Sequence, residues 1–386
     1  MLDRVDKTIE PLKGELKKLT LEIHENPELG TKEFKACKLQ AELLKKYGFQ
    51  VETGYLGIET AYKASYIGKK KGPKIAMLAE YDALPKIGHA CGHNLIAMVS
   101  VGAGIAMREY ADEFGGEIYV FGTPAEESKG AKVEMSNKDA FDNMDVAMMA
   151  HPAYMNTDSV KLMAIKSYSF EFFGKGAHAA ATPEEGLNAL DAMINFFNLV
   201  NALRQQTKPD ARIHGIILDG GTAPNIIPDY TKASFAVRSN EEDYLVELCE
   251  KVFECARGAA LGTGTTVDIK KAEEHFKNMK HNSKLSELNA SKLEELGLPV
   301  MRLGDIVFPG SSDIGDVSYR CPAIQGGYDI TGGKPVVIHT SEFAEYTKSD
   351  YAIENSFNVI KGFVLTAIDL MTKPDLLKEI KEEFGN

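Results

Sequence analysis

The sequence contains no long apolar run. Its most apolar stretch, around Val359 to Met371, is interrupted by Lys361 and Asp369, whereas a membrane-spanning helix needs about 20 consecutive apolar residues. The start of the sequence alternates charged with apolar side chains and lacks the apolar core of a secretory signal. These absences predict a cytoplasmic protein that has no membrane partner.

Cysteines and basic clusters are also scarce. The five cysteines are odd in number and scattered from Cys37 to Cys321, which is unlike the dense, even set of a secreted disulfide framework. The 44 basic side chains are outnumbered by 56 acidic ones, and the only dense basic run is Lys69 to Lys71. A net charge of −12 therefore argues against nucleic acid as a partner.

Alternating strand and helix patterns predict an α/β fold. A short apolar strand ends at Ala79, a helix follows from Asn94 to Tyr110, and further strands end at Phe121 and Ala150 with a helix between them. This β-α-β-α-β order predicts a mostly parallel sheet that has helices on both faces.

The order of the elements changes near residue 166. Strand, helix, strand, strand, helix and strand follow one another, with a long helix predicted from Pro183 to Gln206. This is the order of a ferredoxin-like α+β unit. We expect residues 167–278 to form an inserted domain, and residues 1–166 and 279–386 to form one discontinuous domain around it.

Residues that can bind or orient a metal follow the predicted strand ends. They are Asp82, Cys91 and His93 after the first buried strand, Glu126 and Glu127 after the second, His151 after the third, and His339 after a later apolar run. The carboxyl ends of parallel strands meet at one edge of a sheet, where α/β folds bind ligands. Cysteine, histidine and carboxylate side chains bind Zn²⁺ and similar cations, so the sequence predicts a metal site at this edge.

The residue types indicate a division of roles within that site. A thiolate at Cys91, near a helix N-terminus, would be kept ionised by a metal, and its sulfur could bridge two ions. Of two adjacent glutamates, one can bind metal while the other acts as the general base on water. Asp82 is placed to orient a histidine ligand.

Other interpretations of the same residues remain open. Cys-Gly-His could be a buried thiol beside a structural histidine, and adjacent glutamates often begin a solvated helix. A cysteine hydrolase with Cys91 as nucleophile and His93 as base is disfavoured, because residues two apart in a tight glycine turn pair poorly. A metal-binding scaffold without catalysis would have no use for Glu126 beside Glu127.

The sequence resembles the zinc metallopeptidase and amidohydrolase superfamily of aminoacylases, glutamate carboxypeptidases and indole-acetyl-amino-acid hydrolases, metallopeptidase family 20. The resemblance runs from His24-x-x-Pro27-Glu28 through Asp82-Ala-Leu-Pro85 to His339-Thr340 and so covers nearly the whole chain. It implies that the discontinuous domain is the metal-binding catalytic domain. It also implies that the inserted domain serves for dimerisation and as a lid.

By position, the resemblance implies two metal sites that share one ligand. The implied ligands are Cys91 as the bridge, Glu127 and His339 at one ion, and His93 and His151 at the other. Glu126 would be the catalytic base. One or two divalent ions per subunit are expected; zinc suits a cysteine and histidine ligand set, and manganese or cobalt would also fit.

Three residues of the inserted domain match functional positions of the same family. His178, in Gly174-Lys-Gly-Ala-His178, resembles the histidine that stabilises the oxyanion, often in the active site of the partner subunit. Asn225 and Arg238 resemble the pair that binds the substrate carboxylate, for which a guanidinium and an amide are suitable donors. The resemblance thus implies a homodimer or higher homo-oligomer formed through the inserted domain.

One departure from the family pattern concerns the substrate. After Cys91-Gly-His93, the sequence has Asn94, Leu95 and Ile96, where amino-acid-conjugate hydrolases usually have Asp and then His. In this it resembles the branch near aminobenzoyl-glutamate hydrolase and dipeptide-cleaving homologues. The predicted function is cleavage of an amide bond in N-acyl-amino acids or small peptides with a free carboxylate, by attack of a metal-activated water. A dipeptidase or aminopeptidase on the same scaffold is the alternative.

Overall fold

The computed structural model describes residues 1–385, so Asn386 of the predicted range 279–386 lies outside the described residues. The chain forms two compact units. The first unit comprises residues 1–161, 279–308 and the chain from 312 onward, and the second unit comprises residues 162–278 and 309–311. Within the described residues, no helix has both the length and the apolar character that crossing a bilayer requires.

The helices of residues 1–385 are named in chain order. They are α1 (Leu2–Ile9), α2 (Lys13–Glu25), α3 (Phe34–Lys46), α4 (His93–Phe114), α5 (Ala131–Asn137), α6 (Ala189–Leu203), α7 (Glu242–Thr263), α8 (Ser283–Glu295), α9 (Ile314–Val317), α10 (Ser341–Tyr346), α11 (Asp350–Thr372) and α12 (Pro374–Gly385).

The strands of the same residues are named likewise. They are β1 (Gln50–Thr53), β2 (Tyr62–Ile67), β3 (Lys74–Ala79), β4 (Glu117–Gly122), β5 (Val146–Ala153), β6 (Lys161–Leu162), β7 (Ala164–Phe173), β8 (Arg212–Asp219), β9 (Tyr230–Ser239), β10 (Thr266–Lys271), β11 (Val307–Phe308) and β12 (Ala323–Asp329).

The first unit is built on a six-stranded sheet in the order β1-β2-β4-β3-β5-β12. Strands β4, β3, β5 and β12 pair in parallel, and β2 and β1 extend the sheet in antiparallel pairings. The central strand β3 is apolar and almost wholly buried, as expected for a parallel strand covered on both faces. The predicted α/β fold with a mostly parallel sheet is therefore confirmed.

The second unit has a four-stranded antiparallel sheet in the order β10-β7-β9-β8. Buried and partly exposed residues alternate along β9, because successive side chains of a strand point to opposite faces. The buried face packs with α6 and α7 in a core that includes Phe170, Phe196 and Phe235. The predicted β-α-β-β-α-β order of a ferredoxin-like unit is confirmed.

Two element boundaries differ from the sequence-based expectation. The α-helix expected from Pro183 to Gln206 extends only over Ala189–Leu203, because the Asn188 side chain accepts hydrogen bonds from the amides of Leu190 and Asp191 and so caps it. Strand β5 does not end at Ala150 but continues to Ala153, since β12 pairs with it over this whole length. His151 therefore lies within the strand.

Candidate metal centre

A glycine turn brings Cys91 and His93 to the carboxyl end of the parallel strands. Gly92 has φ +82°, and a Cβ atom there would lie 2.7 Å from Cγ of Pro152. Only glycine combines that backbone conformation with so close an approach. The turn leads directly into α4, whose first residue is His93.

The five residues predicted as metal ligands lie close together in the first unit. Candidate ligand atoms of Cys91, His93 and His151 lie within 4.8 Å of one another, and so do those of Cys91, Glu127 and His339. The Cys91 sulfur is 3.3 Å from Nε2 of His151 and 3.3 Å from Nε2 of His339. Cys91 is thus common to two groups of three potential ligands.

Hydrogen bonds on the far side of the rings orient two of the histidines. Nδ1 of His93 is 2.9 Å from Oδ1 of Asp82, and Nδ1 of His151 is 2.9 Å from the carbonyl oxygen of Pro152. Because both partners are acceptors, Nδ1–H is the donor in each case, and in the neutral ring Nε2 carries the lone pair. Oδ2 of Asp82 also accepts the amide of Glu127, so a single carboxylate orients parts of two loops.

Buried atoms without hydrogen bonds show that the site suits a cation. Within the described residues, Nε2 of His93 and Oε2 of Glu80 are buried and have no hydrogen-bond partner. Leaving such atoms unsatisfied costs about 1–3 kcal/mol each, and more for charged groups. Both are electron-pair donors, as are the thiolate and carboxylates beside them, and this donor set fits a divalent cation.

The two adjacent glutamates experience opposite electrostatic environments. Burial raises the pKa of Glu126 well above its ordinary value, and the carboxylates of Glu80 and Asp313 raise it further. Burial would also raise the pKa of Glu127, but contacts with His339 and His93 lower that pKa to about 2. Neighbouring carboxyl groups whose pKa values are pushed apart are typical of an acid–base pair with separate roles.

Three buried charged residues beside Glu126 were not among the predicted site residues. The ammonium of Lys132 lies 2.6 Å from Oε1 of Glu80 and 2.5 Å from Oδ1 of Asp313. All three side chains are at most 1% exposed. Glu80 directly follows β3, so the strand-end argument could have found it. Lys132 lies within α5 and has no local pattern that distinguishes it from a surface lysine.

A further buried carboxylate, Glu33, supports the turn that carries the two glutamates. Ala125, just before Glu126, has φ +62°, a conformation that costs a non-glycine residue about 1–2 kcal/mol. Oε1 of Glu33 accepts the amide of Ala125 at 2.7 Å, and Oε2 accepts the hydroxyl of Thr60 at 2.9 Å. Glu33 thereby helps to hold the strained turn in place.

Glu33→Gln is expected to make the free energy of unfolding of the first unit less dependent on pH. Burial, and next the charge of Asp82, raise the pKa of Glu33 from 4.5 to about 7. The unfolded chain therefore loses this proton first as pH rises, and the group's contribution to stability, full below 4.5, is lost as pH approaches 7. The shift corresponds to about 3 kcal/mol, and glutamine mimics the protonated form.

Unfolding midpoints from pH 4.5 to 8 test this expectation. The gain of Glu33→Gln over the wild type should grow with pH, whereas Glu42→Gln, at an exposed position of α3, should follow the wild type. A stability difference between Glu33→Gln and the wild type that is constant across this range would contradict it.

In the second unit, His178 and Asn225 lie on adjacent loops. The amide of Ala179 donates to the carbonyl of Asn225 at 3.0 Å. Nδ1 of His178 accepts the amides of Ala180 and Ala181, both at 3.2 Å. The ring proton of a neutral His178 is therefore on Nε2, on an exposed side chain that can donate a hydrogen bond.

Arg238 is not brought together with Asn225 within the second unit. Arg238 lies near the end of β9, whereas Asn225 precedes its start at Tyr230. Eight residue steps of strand separate Tyr230 from Arg238, a distance of about 26 Å. The Arg238 guanidinium instead donates to the carbonyl of Pro309 and to Oγ of Ser311, both at 3.1 Å.

Comparisons with known proteins agree with this fold and site. A family model described as the peptidase dimerisation domain of M20 enzymes matches residues 160–263. The Xaa-Arg dipeptidase of Mus musculus is 37% identical over 341 residues, covering 86% of this chain and 79% of the dipeptidase. A p-aminobenzoyl-glutamate hydrolase chain from Escherichia coli (strain K12) is 26% identical, covering 98% of this chain and 94% of that protein.

Solved structures show the same fold. A dinuclear metal-binding peptidase of the M20 family from Bacillus subtilis has a TM-score of 0.72 at 17% identity, covering 93% of this chain and 99% of that one. The chain therefore belongs to the M20 family and is a hydrolase that uses a divalent metal to cleave amide or peptide bonds in small molecules or peptides.

Proposed function

We propose that Cys91 bridges two divalent cations, one completed by Glu127 and His339 and the other by His93 and His151. The proposal is supported by the two groups of three potential ligands that share the Cys91 sulfur. Burial alone raises the pKa of the Cys91 thiol well above its ordinary value, and a cation reverses this effect by binding the thiolate. Zinc is the metal we propose, because thiolate and imidazole ligands favour it.

The charge of the site also supports two ions. Five carboxylates lie in or beside it, and one buried ammonium, that of Lys132, lies among them. The carboxylates are those of Glu80, Asp82, Glu126, Glu127 and Asp313. Buried charges without compensation are strongly destabilising, and divalent cations would offset most of this negative excess.

Glu126 is the proposed general base. When bound, the metal would lower the pKa of a water molecule and polarise the substrate carbonyl. The Glu126 carboxylate accepts the proton of the attacking water and then donates it to the leaving amine. As the family resemblance implies, Nε2–H of His178 stabilises the oxyanion.

The substrate we propose is a dipeptide with a basic C-terminal residue. This rests on the 37% identity to an enzyme named Xaa-Arg dipeptidase. Arg238 and Asn225 are the proposed ligands of the free carboxylate, since a guanidinium fork and an amide both suit that group. They lie far apart in the second unit, so we propose that they act in different active sites of an oligomer.

A substrate panel in the presence of added zinc, manganese or cobalt tests this function. We expect the highest kcat/KM for Xaa-Arg and Xaa-Lys dipeptides, lower values for N-acetyl-arginine and p-aminobenzoyl-glutamate, and loss of activity with a chelator. The same dipeptides with a C-terminal amide are the matched control, and blocking the carboxylate should reduce kcat/KM at least tenfold. Equal rates on the acids and the amides would overturn the carboxylate requirement.

We further propose a homodimer formed through strand β8. This strand is at the edge of the second unit's sheet, and Ile216, Ile217 and Leu218 on it are exposed. An exposed apolar edge strand favours pairing with another chain, and a two-fold dimer lets the same edge pair with itself. The match of residues 160–263 to a dimerisation domain supports this surface.

Ile216→Lys is expected to convert the dimer to monomer. A lysine there places a desolvated charge at the proposed contact. Light scattering measures the molar mass, and Leu261→Lys, at an exposed leucine of α7, serves as the control that should stay dimeric. A dimer that survives the Ile216 change would exclude this edge.

A further inference from the structure

We propose that Glu80 is an additional ligand of the cation bound by His93, so that the centre has six protein ligands rather than five. The inference deepens the proposed function and depends on it, because it assumes that His93 is a ligand. No motif of the sequence assigned this role to Glu80.

The two atoms concerned face each other in the interior. Oε2 of Glu80 lies 3.3 Å from Nε2 of His93, and the side chains are 1% and 0% exposed. Neither atom makes a hydrogen bond within the described residues. Two ligands of a tetrahedral zinc ion, each about 2.0–2.2 Å from the metal, lie about 3.4 Å apart. The observed separation therefore matches a pair of atoms that share one cation.

Hydrogen bonds to other atoms fix the direction of both groups. Nδ1 of His93 is paired with Asp82, which leaves Nε2 as the free nitrogen. Oε1 of Glu80 accepts from the Lys132 ammonium at 2.6 Å, which leaves Oε2 as the free oxygen. Lys132 thus acts as a positioning residue that turns one oxygen of Glu80 toward His93.

Asp313 differs from Glu80 in the one respect that matters. It also binds Lys132, but its oxygens accept from Nζ and from the backbone amide of that residue, at 2.5 and 3.0 Å. Each Asp313 oxygen thus already accepts a hydrogen bond, whereas Oε2 of Glu80 accepts none. Asp313→Asn therefore removes a negative charge from the same buried cluster without removing a proposed ligand, and it is the matched control for Glu80→Gln.

Metal binding and the cobalt spectrum test the proposal on the full-length protein. Purified apoprotein is titrated with zinc in competition with a chromophoric chelator, and the visible spectrum of the cobalt form is recorded. We expect Glu80→Gln to lower the affinity for one of the two ions more than 100-fold and to change the cobalt absorption bands. The metal affinity of Asp313→Asn should remain within about tenfold of the wild-type value, which is the lower end of what residues that contact ligands contribute. Its cobalt bands should be unchanged.

A second variant separates ligation from charge and guards against misfolding of Glu80→Gln. Glu80→Asp keeps the charge opposite Lys132 but withdraws the oxygen from His93 by one methylene. Weak binding and altered bands in this variant support ligation, whereas wild-type binding and wild-type bands overturn it. Glu80→Gln that behaves like Asp313→Asn also overturns it. Failure of the wild type to bind any ion would instead reject the proposed metal centre itself.

Discussion

Glu126→Gln is expected to reduce kcat by about 10²- to 10⁴-fold while both metal ions stay bound. Glutamine keeps the size and the hydrogen-bonding carbonyl of the side chain but cannot accept the proton of the attacking water. Glu127, the adjacent proposed ligand, is unchanged. Steady-state kinetics on the best dipeptide, together with the metal content of the purified protein, measure the two effects separately.

The control for this prediction is Glu134→Gln on α5, where the exposed carboxylate only pairs with Lys138. That variant should retain the kcat of the wild type. Loss of metal from Glu126→Gln would show that Glu126 is a ligand rather than the base. Wild-type turnover with full metal content would show that another group takes the proton.

The strand-end argument explains why much of the site could be predicted from the sequence. Cys91, His93 and Glu127 follow buried parallel strands, and the carboxyl ends of such strands meet by geometry. His339 is different, since no strand of the described chain directly precedes it. The structure holds it by a hydrogen bond from its amide to the carbonyl of Ala90, with φ +63°. The sequence named His339 as a candidate because an apolar run precedes it, but that run forms no strand, so the family resemblance is the stronger ground for its assignment.

The pairing of Lys132 with Asp313 behind Glu126 could not be predicted, because the two residues are far apart in sequence. Lys132 and Asp313 are separated by 181 positions, and nothing local to either indicates the other. Asn225 and Arg238 are close in sequence but lie at opposite ends of β9, with Asn225 just before the start of the strand. The family resemblance implies that Asn225 and Arg238, thirteen positions apart, form one binding pair, but the extended strand β9 lies between them in the second unit.

Lys132→Met is expected to lower the free energy of unfolding of the first unit by about 3–5 kcal/mol. Burial alone would lower the pKa of Lys132, but Asp313 and Glu80 raise it above its ordinary value, so the group is charged. Methionine has nearly the same length and fills the space. What it removes is the charge that compensates two buried carboxylates, and breaking a buried pair costs this much.

Thermal or urea unfolding at neutral pH measures the loss, and two further variants identify its cause. Lys138→Met, at an exposed ion pair at the end of α5, should cost less than about 1 kcal/mol. Adding Glu80→Gln and Asp313→Asn to Lys132→Met should recover most of the lost stability, because neutral groups of similar shape replace buried charges at little cost. If the triple variant were as unstable as Lys132→Met alone, the loss would come from packing, and the two carboxylates would not depend on the Lys132 charge.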